Sequence, residues 1–164
     1  MSEKSQRTRV TRALKPLHGF AVENVCLPGT PDVNCTLGWI ELKWIEDWPA
    51  RASTPVRLEH YTPQQRIFAQ KRGRAGGLSL LLLQVESTQD WLLFDGPTAA
   101  RIVGHVPRAE LFEGALAHWV GHDMEKNLVP CLYELFENSR SQSHTASPAD
   151  APAERKPRRR STNG

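Results

Sequence analysis

Pro31-Asp32-Val33-Asn34-Cys35-Thr36-Leu37-Gly38-Trp39-Ile40-Glu41-Leu42-Lys43 is the segment on which the architecture of this chain turns. From Gly38 to Ile45 the residues alternate, with Trp39, Glu41 and Lys43 on one face and Ile40, Leu42 and Trp44 on the other. That is the pattern of a half-buried strand. Asp32–Thr36 reads as a short strand before it, so Asp32 and Glu41 can converge across a hairpin. Glu41 and Lys43 then share a face roughly 7 Å apart, at ~3.3 Å per residue. Two carboxylates this close repel unless something positive lies between them. A hard divalent cation fills that role, since Mg²⁺ takes carboxylate and carbonyl oxygens and keeps several waters. A lysine beside it can hold a water or offset charge developing on a phosphate. The structural alternative is a solvated strand face with alternating charge; Asp32, its turn and the neighbouring Trp39 and Ile40 weigh against it.

On either side of this segment the signals are local. Residues 3–15 read as a helix with Val10, Ala13 and Leu14 as its apolar stripe and Pro16 just past its end. Phe20, Val22, Val25 and Cys26 suggest a strand over 19–27, followed by a turn at Leu27–Pro31. Glu46–Tyr61, rich in proline and charge, reads as a long loop of the kind that is often functional or mobile. Thr62-Pro63-Gln64-Gln65 announces a helix: Thr62 caps it, Pro63 suits the first position and Gln65 completes a capping box. Gly76-Gly77 ends it. Leu78–Val85, almost entirely aliphatic, has the look of a strand buried on both faces, and Trp91–Phe94 pairs with it across a turn. Pro107–Gly121 and Met124–Glu137 read as helices. From Asn138 the sequence loses periodicity and reads as a disordered tail. The expected layout is an α/β domain over 1–138, a mixed sheet with helices on both faces and helices at its C-terminal end, then a basic tail over 139–164.

The chain's 164 residues suit one domain. No apolar run is longer than Leu80–Leu83, which is far short of a membrane span. No signal peptide is visible, and three cysteines, Cys26, Cys35 and Cys131, make neither a disulfide framework nor a thiolate cluster. A cytoplasmic or host-cell interior is expected. The net charge of +3 is unevenly spread: +4 over residues 1–16, +4 over 139–164 and −5 between. Basic arms on an acidic body suit a polyanion, although charged tails also serve solubility.

Pro31, Asp32, Glu41 and Lys43, with the Gly-x-Pro-Asp turn and the helix opened by Thr62–Gln65, resemble the PD-(D/E)xK nuclease superfamily. The likeness covers about residues 3–95, looks like small phage and bacterial members, and includes the Holliday-junction-resolvase and virus-type replication-repair branches. It implies a restriction-endonuclease-like core of helix, three strands, helix and strand. It implies a metal-dependent DNA endonuclease acting in phage DNA replication, recombination or repair, with selectivity for DNA structure. Asp32 and Glu41 would hold Mg²⁺, or Mn²⁺ in its place, with the Leu42 carbonyl as a backbone ligand. Lys43 would position the attacking water. Gln65 matches a glutamine early in the second core helix of similar nucleases, and equally serves its own cap. A further acid is expected upstream: Glu23 on the first strand or Glu3 on the first helix. Arg66, Lys71, Arg72 and Arg74 make a basic helix face for the DNA backbone. The oligomeric state stays open, a homodimer included. A catalytically inactive nucleic-acid-binding protein on the same fold is the alternative reading, and an interaction protein with a merely flexible arm is a third.

Competing motifs are weaker. His118 and His122 have the spacing of two zinc ligands on a helix, but Gly114 and Gly121 weaken that helix and a surface or capping role is favoured. No nucleophile elbow and no Walker loop occurs. Of the tryptophans, Trp48 beside Pro49 is the one to keep as a base-stacking candidate.

Overall fold

A computed structural model describes residues 3–23, 27–58 and 60–145. Its centre is a six-stranded sheet whose strands follow chain order: β1 (Phe20–Ala21), β2 (Val33–Cys35), β3 (Gly38–Ile45), β4 (Ser79–Val85), β5 (Asp90–Asp95) and β6 (Ala117–Val120). β3 and β4 run parallel and every other neighbouring pair is antiparallel. The parallel pair needs a crossover, supplied by α2 (Pro63–Arg74). The remaining helices are α1 (Glu3–Ala13), α3 (Gly96–Ile102), α4 (Arg108–Gly114) and α5 (Asp123–Thr145).

The period-two rule sorts the sheet's side chains into two cores. Ile40, Leu42, Leu80, Leu82, Trp91 and Leu93 meet Val10 and Leu14 of α1 and Met124, Leu128 and Leu132 of α5. Leu81, Leu83, Val85, Leu92 and Phe94 meet Ala99, Ile102 and Leu111 of α3 and α4. β4 is buried along its whole length, as its unbroken aliphatic run predicts for a strand covered on both faces. The expected mixed α/β sheet with helices on both faces is therefore present.

Several elements differ from the sequence reading. The strand expected over 19–27 is reduced to Phe20–Ala21 plus one further rung, Val22 N–H to the Asp32 carbonyl. β2 has only three residues before its turn, so it offers β1 little to pair with. Val25 and Cys26 lie outside the described residues. The expected helix over 107–121 ends at Gly114 and continues as β6. There the alternation of Ala117 and Trp119 with His118 and Val120 fits the open edge of β5. α3 is an addition to the expected elements; its signal is Asp95, which caps it by accepting from Thr98 N–H at 2.8 Å, with Pro97 in the first turn.

α5 runs to Thr145, past the Glu137 end that the periodicity suggests, with the Ser139 and Ser141 hydroxyls donating back to the carbonyls of Phe136 and Glu137. Residues 146–164 of the basic tail lie outside the described residues. The long loop 46–61 is anchored rather than loose. It buries Trp48, Val56 and Tyr61 in the second core, and Val56 N–H bonds the Val106 carbonyl. Trp48 is a core residue: its indole N–H donates to Asp90 Oδ2 at 3.0 Å, and its ring packs on Phe112. That corrects its standing as a stacking platform. Among the described residues no helix is long and apolar enough to cross a membrane.

Candidate active site

The β2–β3 hairpin brings the two predicted carboxylates together. Its last rung is Val33 opposite Ile40, so Asp32 lies across from Glu41 one step beyond. Asp32 is fixed there by accepting the Leu42 backbone N–H on Oδ2 at 2.9 Å. Backbone groups of odd residues in β3 point to β4, as the Trp39 N–H to Leu78 and Glu86 N–H to Ile45 bonds show. Those of even residues therefore point to the β2 side. The Leu42 carbonyl accordingly shares an edge with the Asp32 carboxylate.

Glu41 is the hub. Its Oε1 accepts from Lys43 Nζ at 2.6 Å and from Gln65 Nε2 at 2.6 Å. Its Oε2 is buried with no hydrogen-bond partner. Burial pushes the Glu41 carboxyl up to about 8; the Lys43 ammonium opposes this and the nearby Asp32 carboxylate adds to it. Lys43 is itself only 8% exposed, which removes the reading of β3 as a solvated, charge-decorated face. Tyr61 stands beside it, with Lys43 Nζ 5.9 Å and the Arg66 guanidinium 4.1 Å from the ring centroid. Burial raises the Tyr61 hydroxyl to about 12, so it stays protonated.

Gln65 arrives here because α2 starts here. Thr62 Oγ1 accepts the Gln65 N–H, and Gln65 Oε1 accepts the Thr62 N–H at 2.9 Å, a complete capping box. The amide group left over points Nε2 at Glu41. The cap reading of Gln65 holds, and the same side chain also reaches Glu41.

Two residues that the sequence did not single out complete the surroundings. Gln6 of α1 is fully buried and donates from Nε2 to the Lys43 carbonyl at 2.8 Å, locking α1 against β3 behind the site. Its signal is the i, i+4 series Gln6, Val10, Leu14. Arg7 reaches Asp32 Oδ1 and Glu23 Oε1, each at 3.5 Å; no sequence pattern marks it.

Glu23, expected as the further acid, is 85% exposed and faces Arg7 rather than the Asp32–Glu41 pair. Glu3 opens α1, but its side chain lies outside the described set. Among the described residues no group of three His, Cys, Asp or Glu side chains converges. The available donor set is two carboxylates and one backbone carbonyl, all hard oxygens. With a buried carboxylate oxygen left unpartnered, it fits a Mg²⁺ ion that completes its shell with water and substrate oxygens.

The basic face of α2 is not one surface. Arg66 is taken up internally: its Nη1 and Nη2 donate to the carbonyls of Ala100 and Val103 at 2.8 and 2.9 Å, tying α2 to the end of α3. It is not placed as a DNA contact. Lys71, Arg72 and Arg74 lie at the far end of the helix, roughly 9–14 Å beyond Gln65 at 1.5 Å per residue. Arg72 borders a cleft with Asn34, Gly77 and Arg140, whereas Arg74 lies with Pro97 and Arg101. His118 is on β6, not a helix, and its Nε2 bonds Asp90 Oδ1 at 2.7 Å; His122 faces Glu125. No zinc pair forms from them.

Comparison with protein-family models, with curated proteins and with solved structures returns no match for this chain.

Proposed function

We propose that this chain is a metal-dependent DNA endonuclease of the PD-(D/E)xK type, selective for DNA structure. The single observation that carries the reading is that Lys43 Nζ and Gln65 Nε2 meet on the buried Glu41 carboxylate while the Leu42 N–H holds Asp32 across from it. The succession α1, β1, β2, β3, α2, β4 supports it too, since it follows the order helix, three strands, helix and strand that the resemblance implies.

A bound Mg²⁺ would draw charge from the scissile phosphate and acidify a water. Asp32, Glu41 and the Leu42 carbonyl are the groups that would hold it. Lys43 orients a water and offsets charge developing on the phosphate, its ammonium aimed by Glu41 Oε1. Gln65 fixes the same oxygen from the other side, leaving Oε2 as the free end of the carboxylate. Arg7, near Asp32, supplies a second positive group at the rim. Basic residues at both ends of the chain suit the DNA backbone. The setting in phage DNA replication, recombination or repair follows from the resemblance alone.

The test is cleavage of a panel of labelled duplex, nicked, flapped and branched DNAs with Mg²⁺ and with EDTA. Metal-dependent cutting that disappears in Asp32→Ala and Glu41→Ala is expected. Rates within about tenfold of wild type, only ~1.4 kcal/mol of barrier, would remove these residues from the chemistry. DNA binding with no cutting by the wild type would favour the catalytically inactive alternative.

A further inference from the structure

An open cleft of about 490 Å³ lies between α1 and β1. Thr11 and Arg12 of α1, with Lys15 just past its end, form one wall; Gly19, Phe20 and Ala21 form the other. The walls join at Gly19, whose N–H donates to the Leu14 carbonyl at 3.0 Å. A Cβ at this position would come within 2.3 Å of Leu14 Cβ, so only glycine lets the chain turn back so close to α1. The cleft touches both residues of β1. Neighbouring strand residues point to opposite faces, so it borders an edge of that strand. β2 pairs with one edge, and the other is the open edge of the sheet. Val22 N–H bonds the Asp32 carbonyl, which in an antiparallel ladder turns the preceding Ala21 N–H outward to that open edge.

The lining combines unpaired cations with an exposed aromatic ring. Arg7 and Arg9 of α1 are taken up by Asp32, Glu23 and Glu125. Arg12 and Lys15 are exposed, and among the described residues neither has a carboxylate within ion-pair distance. No carboxylate lines the cleft. Phe20 is 49% exposed, with His18 edge-on to its ring at 6.1 Å. A free anion would leave the ring uncovered, and an apolar ligand would leave the charges unmet. A nucleic-acid strand meets both: its phosphates neutralise the cations, and a base has a flat face for the ring. A lipid surface fits less well, because the exposed positions Lys4, Thr8 and Arg12 of α1 present no large apolar side chain to enter it.

The cleft continues the rim of the candidate active site. Thr11 stands one turn beyond Arg7, ~6 Å along the axis at 1.5 Å per residue. Its hydroxyl donates to the Arg7 carbonyl at 2.9 Å, and the Arg7 guanidinium reaches Asp32. We propose that this cleft is a second contact for a nucleic-acid strand, with phosphates against Arg12 and Lys15 and one base stacked on Phe20. It anchors the strand away from the carboxylates and takes no part in cutting it. The inference shares its partner with the nuclease reading but none of its metal chemistry, and it applies equally to the catalytically inactive alternative.

The experiment is an anisotropy titration of a labelled single-stranded DNA oligonucleotide over a range of salt, in EDTA so that nothing is cut. In the Arg12→Ala/Lys15→Ala double variant the slope of log K against log salt should fall by roughly 0.7 for each phosphate no longer neutralised. Phe20→Ala should keep the wild-type slope and bind roughly fivefold or more weakly, since stacking carries no charge. All three side chains are exposed, so both variants should melt as the wild type does. A wild-type slope in the double variant, or wild-type affinity in Phe20→Ala, would overturn the inference. So would wild-type protein that binds phosphatidylserine vesicles and not the oligonucleotide, which would make the patch a membrane contact. Mg²⁺-dependent cutting is measured separately: if it persists while the slope is unchanged, the nuclease reading stands and only this second contact falls.

Discussion

Gln65 holds Glu41 and its own helix with one amide: Nε2 donates to Glu41 Oε1 at 2.6 Å while Oε1 accepts the Thr62 N–H. The start of α2 and the site carboxylate are therefore one mechanical unit. Gln65→Ala should cost about 1 kcal/mol of stability through the lost cap and also slow cleavage. Gln65→Glu keeps the acceptor of the box but sets a second carboxylate against Glu41. Its cleavage should fall further than its cap loss alone would explain. Thermal unfolding and single-turnover cleavage of both variants separate the two roles.

Glu41 gives the protein a pH dependence whose sign is fixed by burial. Its folded value of about 8 exceeds the 4.5 of the unfolded chain. The folded state thus holds the proton more tightly. The associated stability is complete below pH ~4.5 and is lost as pH rises to ~8, at about 1.4 kcal/mol per pH unit at most. Urea unfolding in EDTA between pH 5 and 8.5 should show this decline, and Glu41→Gln should flatten it. Mg²⁺ should restore stability chiefly at the alkaline end, with proton release on binding. A slope identical in wild type and Glu41→Gln would count against the assignment.

Lys43→Met removes the ammonium that the proposed mechanism assigns to orienting a water and leaves Asp32 and Glu41 in place. Losing one such preorganised donor should lower the single-turnover rate by about 10²–10³ with near-normal DNA affinity. Because Lys43 is buried against Glu41, the variant should also be less stable at alkaline pH, where Glu41 is left charged without its partner. Lys43→Arg should not restore the rate, since a planar guanidinium cannot place its charge at the same point.

Arg66→Ala should act on stability. It leaves the carbonyls of Ala100 and Val103 without their donors, at a cost of about 1–3 kcal/mol each where they are cut off from water. Urea unfolding should register the loss. The salt dependence of DNA binding should stay as in wild type, because this guanidinium is turned inward.

Residues 146–164 contain no apolar side chain larger than alanine and proline, and five basic groups at Arg155, Lys156 and Arg158–Arg160. Deleting them should leave Tm nearly unchanged. DNA binding should weaken, and the slope of log K against log salt should fall by roughly 0.9 for each phosphate that is no longer neutralised. An unchanged slope would mean that this stretch touches no DNA.

Strong local signals were enough for several elements. Alternation set β3 from Gly38 to Ile45, the capping box set the start of α2 at Thr62, and an aliphatic run marked β4 as doubly covered. The same signals grouped Asp32, Glu41, Lys43 and Gln65, because a hairpin and the helix that follows it bring such residues together through short-range geometry. They failed where two periods compete. Residues 117–120 carry both a helical and a strand pattern, and the unpaired edge of β5 selected the strand. Long-range packing, by contrast, put Gln6 behind Lys43, spent Arg66 on α3 and turned Glu23 to Arg7. It also set the charge state of Glu41, since desolvation depends on which elements close over a carboxyl group, and no spacing in the chain records that.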